Sequence, residues 1–104
     1  MHERAPAFGG KDGRAYSVGT FVDEAPDAEG RYGAALLFVR WSDAGERPVA
    51  HLETDYLAWG GTPAEALAPL SALTLVEVKA HLDRCIELER QGKGVGGAGS
   101  VGWG

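Results

Sequence analysis

The sequence predicts an α+β fold: a three-stranded antiparallel sheet (β-β-β) followed by a short and a long helix packed on one face, with a flexible Gly-rich C-terminal tail. Three observations carry that expectation. The first half of the chain holds three segments rich in β-branched and aromatic residues, separated by turn-forming loops. The second half holds two Thr-x-x-Glu signatures, each heading a helical stretch. After residue 91 the composition collapses to glycine. The division that follows is a flexible N-terminal arm over 1–14, a single α+β domain over 15–91 and a disordered tail over 92–104.

The arm is polar and ends in the turn-forming "KDG" at 11–13. In "AYSVGTFVD", 15–23, Tyr16, Val18, Thr20 and Val22 alternate with Ser17, Gly19 and Phe21, as a strand requires. The acidic loop "DEAPDAEG" ends it. "RYGAALLFVRW", 31–41, is the most apolar segment, and from Ala34 to Val39 it does not alternate. Such a run belongs to a strand covered on both faces, so it is the central strand, with a partner subunit as its second cover. "SDAGE" at 42–46 makes a hairpin loop in which Gly45 supplies a positive φ. The third strand spans about 48–57.

The short helix starts in "GGTPAEALAPL", with Thr62 as N-cap, Pro63 at the first position and Glu65 completing a capping box. Pro69 should end or kink it within two turns. The long helix repeats the signature with Thr74 and Glu77 and is closed by Gly92. Leu75, Val78, Leu82, Cys85 and Ile86 fall at helical spacing and define its packing face.

A chain of 104 residues, 44% of them apolar, builds one modest core. A domain of this size buries only roughly 60–65% of the surface its unfolded chain exposes, so a monomer is marginal and oligomerisation would relieve it. The net charge of −5 and scattered basic residues argue against nucleic acid as a partner. The single Cys85 rules out an internal disulfide. "MHERAPAFGG" lacks the pattern of a secretory signal, and no stretch approaches the ~18 apolar residues of a membrane helix. No membrane partner is expected, and the expected location is cytoplasmic.

Chemistry-bearing residues are few. "AHLETDY", 50–56, sets His51, Glu53 and Asp55 at every second position, hence on one face of a strand. These are the metal candidates. Metal ligands must converge at about 2.0–2.2 Å from the ion, whereas residues two apart on a strand stand roughly 7 Å apart. A second element would have to add His81 or Asp83, and the opposite, more apolar set of Ala50, Leu52, Thr54 and Tyr56 should be the one facing the helices. The row is therefore expected in solvent, with no cofactor and no catalytic residue assigned. Cys85 lies in the last third of its helix, where the dipole disfavours a thiolate. Gly94, Gly96 and Gly99 spell G-x-G-x-x-G, but they follow a helix instead of joining a strand to one. Trp41, Tyr56 and Trp59, near strand ends, are candidates for a recognition patch or for closing the core. Trp103, the one large apolar side chain of the tail, suits a pocket on another subunit.

After a strand, the eleven residues "GGTPAEALAPL" resemble the strand-to-helix junction of HicB-type antitoxin domains, which neutralise a small toxin. The resemblance implies a partner-neutralising protein; the long second helix lies outside the pattern and no DNA-binding segment accompanies it. Three functional expectations result. The leading one is a small soluble non-enzymatic binding or assembly module acting through homo-oligomerisation, as a dimer, or through a protein partner. The others are a small metal-dependent hydrolase using the His51, Glu53 and Asp55 face, and an antitoxin-like protein.

Overall fold

A computed structural model describes residues 8–92. They form an antiparallel sheet and two helices in the order β1 (Phe8–Gly9), β2 (Ala15–Val22), β3 (Tyr32–Trp41), β4 (Pro48–Glu53), β5 (Ala58–Gly60), α1 (Pro63–Ser71) and α2 (Leu75–Arg90). The strands lie in the order β1-β2-β3-β4, and β5 also pairs with β3. The α+β class is as expected, but the sheet has five strands where three were expected.

The first additional strand comes from the segment expected to be a loose arm. Phe8 pairs with Tyr16 and Gly9 with Ala15. The Phe8 ring stands edge-on to Phe38 at 6.5 Å between centroids. A turn with Gly13 at φ 80° follows, and Lys11 ties it to α2 through Asp83 and Glu87. A single aromatic anchor inside a polar stretch leaves no periodic signal, which is why the sequence hides it.

The second comes from a break in the expected 48–57 strand. Thr54 N donates to Leu36 O at 3.0 Å, and Leu36 N donates to Thr54 Oγ1 at 3.0 Å. A side-chain oxygen thus takes the place of the backbone carbonyl in the ladder, so the chain steps outward after Glu53. It returns at Leu57, whose N–H donates to Ala34 O, and continues as β5 with Ala58 opposite Ala34 and Gly60 opposite Tyr32. β4 and β5 therefore succeed each other along one edge of β3, while β2 holds the other.

Both helices cover the same face. Ala34, Leu36 and Phe38 of β3, with Tyr16, Leu52 and Ala58, meet Ala66 and Leu70 of α1 and Leu82, Cys85 and Ile86 of α2. α1 is capped by Thr62, whose side chain accepts from Glu65 N at 3.1 Å. Glu65 reaches one residue further back than a closed box requires, to Gly61 N at 3.0 Å. Pro69 does not end this helix at once: it lacks the N–H that would bond the Glu65 carbonyl, and the helix runs on only two residues, to Ser71. α2 has the full reciprocal box between Thr74 and Glu77. Its inward stripe begins at Val78, so Leu75, expected on the packing face, is instead 67% exposed. Among the described residues no helix is long and apolar enough to cross a membrane.

Gly60 lets α1 press on the sheet: a Cβ there would lie 2.6 Å from Ala66 N and 2.7 Å from Glu65 Cβ. Gly9, in contrast, has open space around the same position. Gly60→Ala is expected to cost about 1–3 kcal/mol through overpacking, at about 4–8 °C per kcal/mol, while Gly9→Ala changes the thermal midpoint little. Paired melting curves followed by circular dichroism check this.

Candidate functional site

The face of the sheet turned away from the helices is covered by neither of them. Side-chain alternation places there Ser17, Gly19 and Phe21 of β2, Gly33, Ala35, Leu37, Val39 and Trp41 of β3, and His51 and Glu53 of β4. The register sets these in rows across the strands: Ser17, Val39 and His51; then Gly19, Leu37 and Glu53; then Phe21 and Ala35. Gly33 and Trp59 make the last row. The centre is apolar, and an aromatic group stands at each end.

At one end the Trp41 indole Nε1 donates to Ser17 Oγ at 2.9 Å, tying the ring to β2. At the other, the Tyr56 ring lies over Gly33, where a Cβ would come within 2.7 Å of it. Its hydroxyl donates to Asp23 Oδ1 at 2.5 Å, which pushes the phenol pKa up. Trp59 stands 5.9 Å from Tyr56, with the Arg31 guanidinium 5.6 Å from its ring centroid. Tyr56 was expected to face the helices. The break after Glu53 resets the alternation and delivers it to the opposite side. Trp41 and the Tyr56–Trp59 pair thus share a face but not a cluster, being separated by the span of β3 from Gly33 to Trp41, about 26 Å at about 3.3 Å per residue.

The polar row does not converge. His51 is exposed and Glu53 half-buried on β4, while Asp55 lies in the loop beyond the strand end. No group of three His, Cys, Asp or Glu side chains able to hold a metal ion occurs among the described residues. Asp83 is engaged elsewhere, accepting from Lys11 N and Lys79 Nζ. A depression of about 410 Å³ along β4 is lined by Pro48, Val49, Ala50 and His51. Cys85 is buried with its Sγ 3.5 Å from Glu53 O. Burial, reinforced by the Asp55 charge, pushes its thiol up to about 11, which removes the thiolate a nucleophile needs. Trp103 and the glycines at 94, 96 and 99 lie outside the described residues.

The most perturbed ionisable groups sit at one end of the helix-covered face. Tyr16, fully buried, donates its hydroxyl to Asp12 Oδ2 at 2.7 Å and accepts from Arg40 Nε at 2.7 Å. Arg40 also meets Glu89 Oε1 at 2.5 Å, and its guanidinium lies 5.4 Å from the Tyr16 ring centroid. Burial and the Asp12 bond push the Tyr16 phenol up to about 12. Burial alone would raise Asp12, but bonds from Tyr16 and Arg14 N, with the Arg40 charge, hold it below the usual carboxylate value. Every member points at another member, so the cluster is a clasp joining β2, β3, the turn before β2 and α2. Its residues are too far apart in the chain for any motif to announce it. The open face did leave a signal, the non-alternating run from Ala34 to Val39.

Comparison of the chain with protein-family models, with curated proteins and with solved structures returned no match.

Two outcomes follow from these environments. The Tyr16 pKa is raised above its ordinary value of 10.0, so the stability it contributes is complete below pH 10 and is lost as pH rises toward about 12. An ultraviolet titration of the native protein should show one of the three tyrosines ionising near 12, and Tyr16→Phe should remove that step. By removing one hydrogen bond from each of the charged groups Asp12 and Arg40, this variant should also lose about 1–3 kcal/mol of stability. Separately, Cys85 should resist a thiol-alkylating reagent in the native protein near pH 8 and react readily once denatured, as mass spectrometry of the alkylated chain would record.

Proposed function

We propose that this chain is a small soluble non-enzymatic assembly module of the cytoplasm that pairs with a second copy of itself through the open sheet face. The observation that carries the reading is that the half-buried Leu37 and Val39 of the central strand, beside the exposed Phe21 and Trp59, lie on a face that neither helix covers, while Ala35 of the same row is buried within the protomer. Contiguous apolar surface of this kind marks interaction sites in proteins that otherwise keep such patches small. Its size is consistent with a modest dimer. Strands of eight, ten and six residues, spaced about 4.8 Å apart and rising about 3.3 Å per residue, project roughly 400 Å². Side-chain relief brings this near the ~600 Å² per partner at the lower end of stable interfaces.

The chemistry of the remaining groups favours binding over catalysis. The perturbed residues Tyr16, Asp12 and Arg40 are committed to one another, and Cys85 is held as a thiol. A metal-dependent hydrolase reading of His51, Glu53 and Asp55 draws no support from a ligand set, since no group of three His, Cys, Asp or Glu able to hold a metal ion occurs among the described residues. The antitoxin-like reading rests on eleven residues that fold as the end of β5, the Thr62 cap and most of α1, and the comparisons add nothing to it.

Sedimentation equilibrium across a wide concentration range is expected to show a reversible monomer–dimer equilibrium. Leu37→Glu and Val39→Lys, each placing a charge in the face, should leave the protein folded and monomeric. A wild-type chain that stays monomeric at the highest concentration overturns the reading.

A further inference from the structure

The two edges of β2 are unequally used. Asp23 N donates to Gly33 O, and the register then makes Ser17, Gly19 and Phe21 the residues that exchange bonds with β3. The alternate residues turn their N–H and C=O groups the other way, where Tyr16 meets Phe8 of β1. Beyond Tyr16 no described element lies along that side, so Val18, Thr20 and Val22 present both groups to an open edge. Such a row is a template for one more strand, and strand addition at an edge is a recurring mode of peptide recognition.

The residues ahead of β1 are ill suited to supply that strand. Extending the register of Phe8 opposite Tyr16 sets Pro6 against Val18, at a position whose N–H would have to donate to Val18 O, and proline has none. A second copy offers the same strand but also the same net charge of −5. The charge at the far end of the edge favours a different occupant. Val22 leads directly into the loop carrying Asp23, Glu24, Asp27 and Glu29, where Arg31 is the one basic group and is paired with Asp27 and Glu29. Glu24 is exposed and makes no ion pair or hydrogen bond among the described residues.

We propose that the open edge of β2 is a docking site for an extended basic peptide strand of a protein partner, which pairs antiparallel with residues 18–22 and sets Lys or Arg side chains of its leading end beside Glu24 and Asp23. The antiparallel direction continues that of β1 and brings the first residues of the incoming strand to the acidic loop. Directly opposite side chains stand about 4.5–5.5 Å apart on the same face, so the half-buried Val18 and Val22 ask for apolar partners. The ladder supplies affinity, and the charge at one end supplies direction and choice of partner. This edge lies in the plane of the sheet, so its occupation is independent of the dimer proposed above.

The test measures amide hydrogen exchange by nuclear magnetic resonance on the full chain, with and without the end-blocked synthetic peptide Lys-Lys-Val-Thr-Val-Thr-Val. In the free protein the amides of Ser17, Gly19 and Phe21 should exchange slowly and those of Val18, Thr20 and Val22 fast. At about 90% occupancy the peptide should slow the second set about tenfold. Replacing its lysines by glutamates should abolish the effect, and Glu24→Lys should raise the dissociation constant about fivefold without altering the fold. No slowing at millimolar peptide, or equal slowing by the glutamate version, overturns the proposal. Val18, Thr20 and Val22 amides already slow in dilute free protein would assign the edge to the chain's own leading residues, and slowing that grows with protein concentration alone would assign it to a second copy; either overturns it. A dimer through the sheet face leaves these amides fast, so failure of that reading is seen separately, by sedimentation.

Discussion

The strand β3 is bonded on both edges, and every other element takes its position from that fact. Its ten residues hold β2 on one side and β4 followed by β5 on the other, so a side chain on β3 can point only up or down. Both directions are apolar: Ala34, Leu36 and Phe38 on one side, Ala35, Leu37 and Val39 on the other. Two helices joined by a short link cannot reach around a five-stranded sheet, so they cover the first set and leave the second. Alternation alone gives an apolar strand one face under the helices and one that they leave uncovered.

The clasp at the end of the covered face shows how a small core tolerates charge. Tyr16 brings a hydroxyl to the edge of the apolar cluster, and its two bonds, to Asp12 and from Arg40, satisfy both its donor and its acceptor role. Arg40 spreads its charge between Glu89, Asp12 and the Tyr16 ring. Among the described residues no buried side-chain nitrogen or oxygen is left without a hydrogen-bond partner. The arrangement fixes α2 against the sheet at its C-terminal end, where Glu89 and Glu87 meet Arg40 and Lys11. At its N-terminal end Leu75 lies outside the core, so the first turn is held by its cap and the packing begins at Val78.

Sequence patterns were informative where a single local rule governs. The Thr62 and Thr74 caps, the Gly45 turn and, apart from the exposed Leu75, the inward stripe of Val78, Leu82, Cys85 and Ile86 all follow from interactions within a few residues and are present, although only Thr74 and Glu77 close a full box. The failures lie where a distant partner decides. Phe8 becomes a strand because Tyr16 and Phe38 receive it, and β4 ends at Glu53 because the Thr54 hydroxyl captures Leu36 N–H. That one bond moved Tyr56 to the other face and took Asp55 out of the His51 row. The face away from the helices was half legible: the non-alternating run announced apolar side chains on both sides of β3, while the Tyr56 ring over Gly33 emerges only once its neighbours are placed in space.

The brevity of β1 has a consequence for how the molecules behave in bulk. It pairs with only Ala15 and Tyr16, so β2 from residue 17 to 22 presents its outward amide and carbonyl groups unpaired among the described residues. That stretch carries no proline and no charge, the devices by which exposed strands normally discourage stray pairing. The discouragement comes instead from its surroundings: Asp23, Glu24, Asp27 and Glu29 follow it, on a chain of net charge −5. Repulsion of that kind reaches only about 8 Å at physiological ionic strength and shrinks as salt is added. Colloidal stability in this protein is thus an electrostatic property, strongest in dilute buffer and weakest in brine or near its isoelectric point of about 5.1.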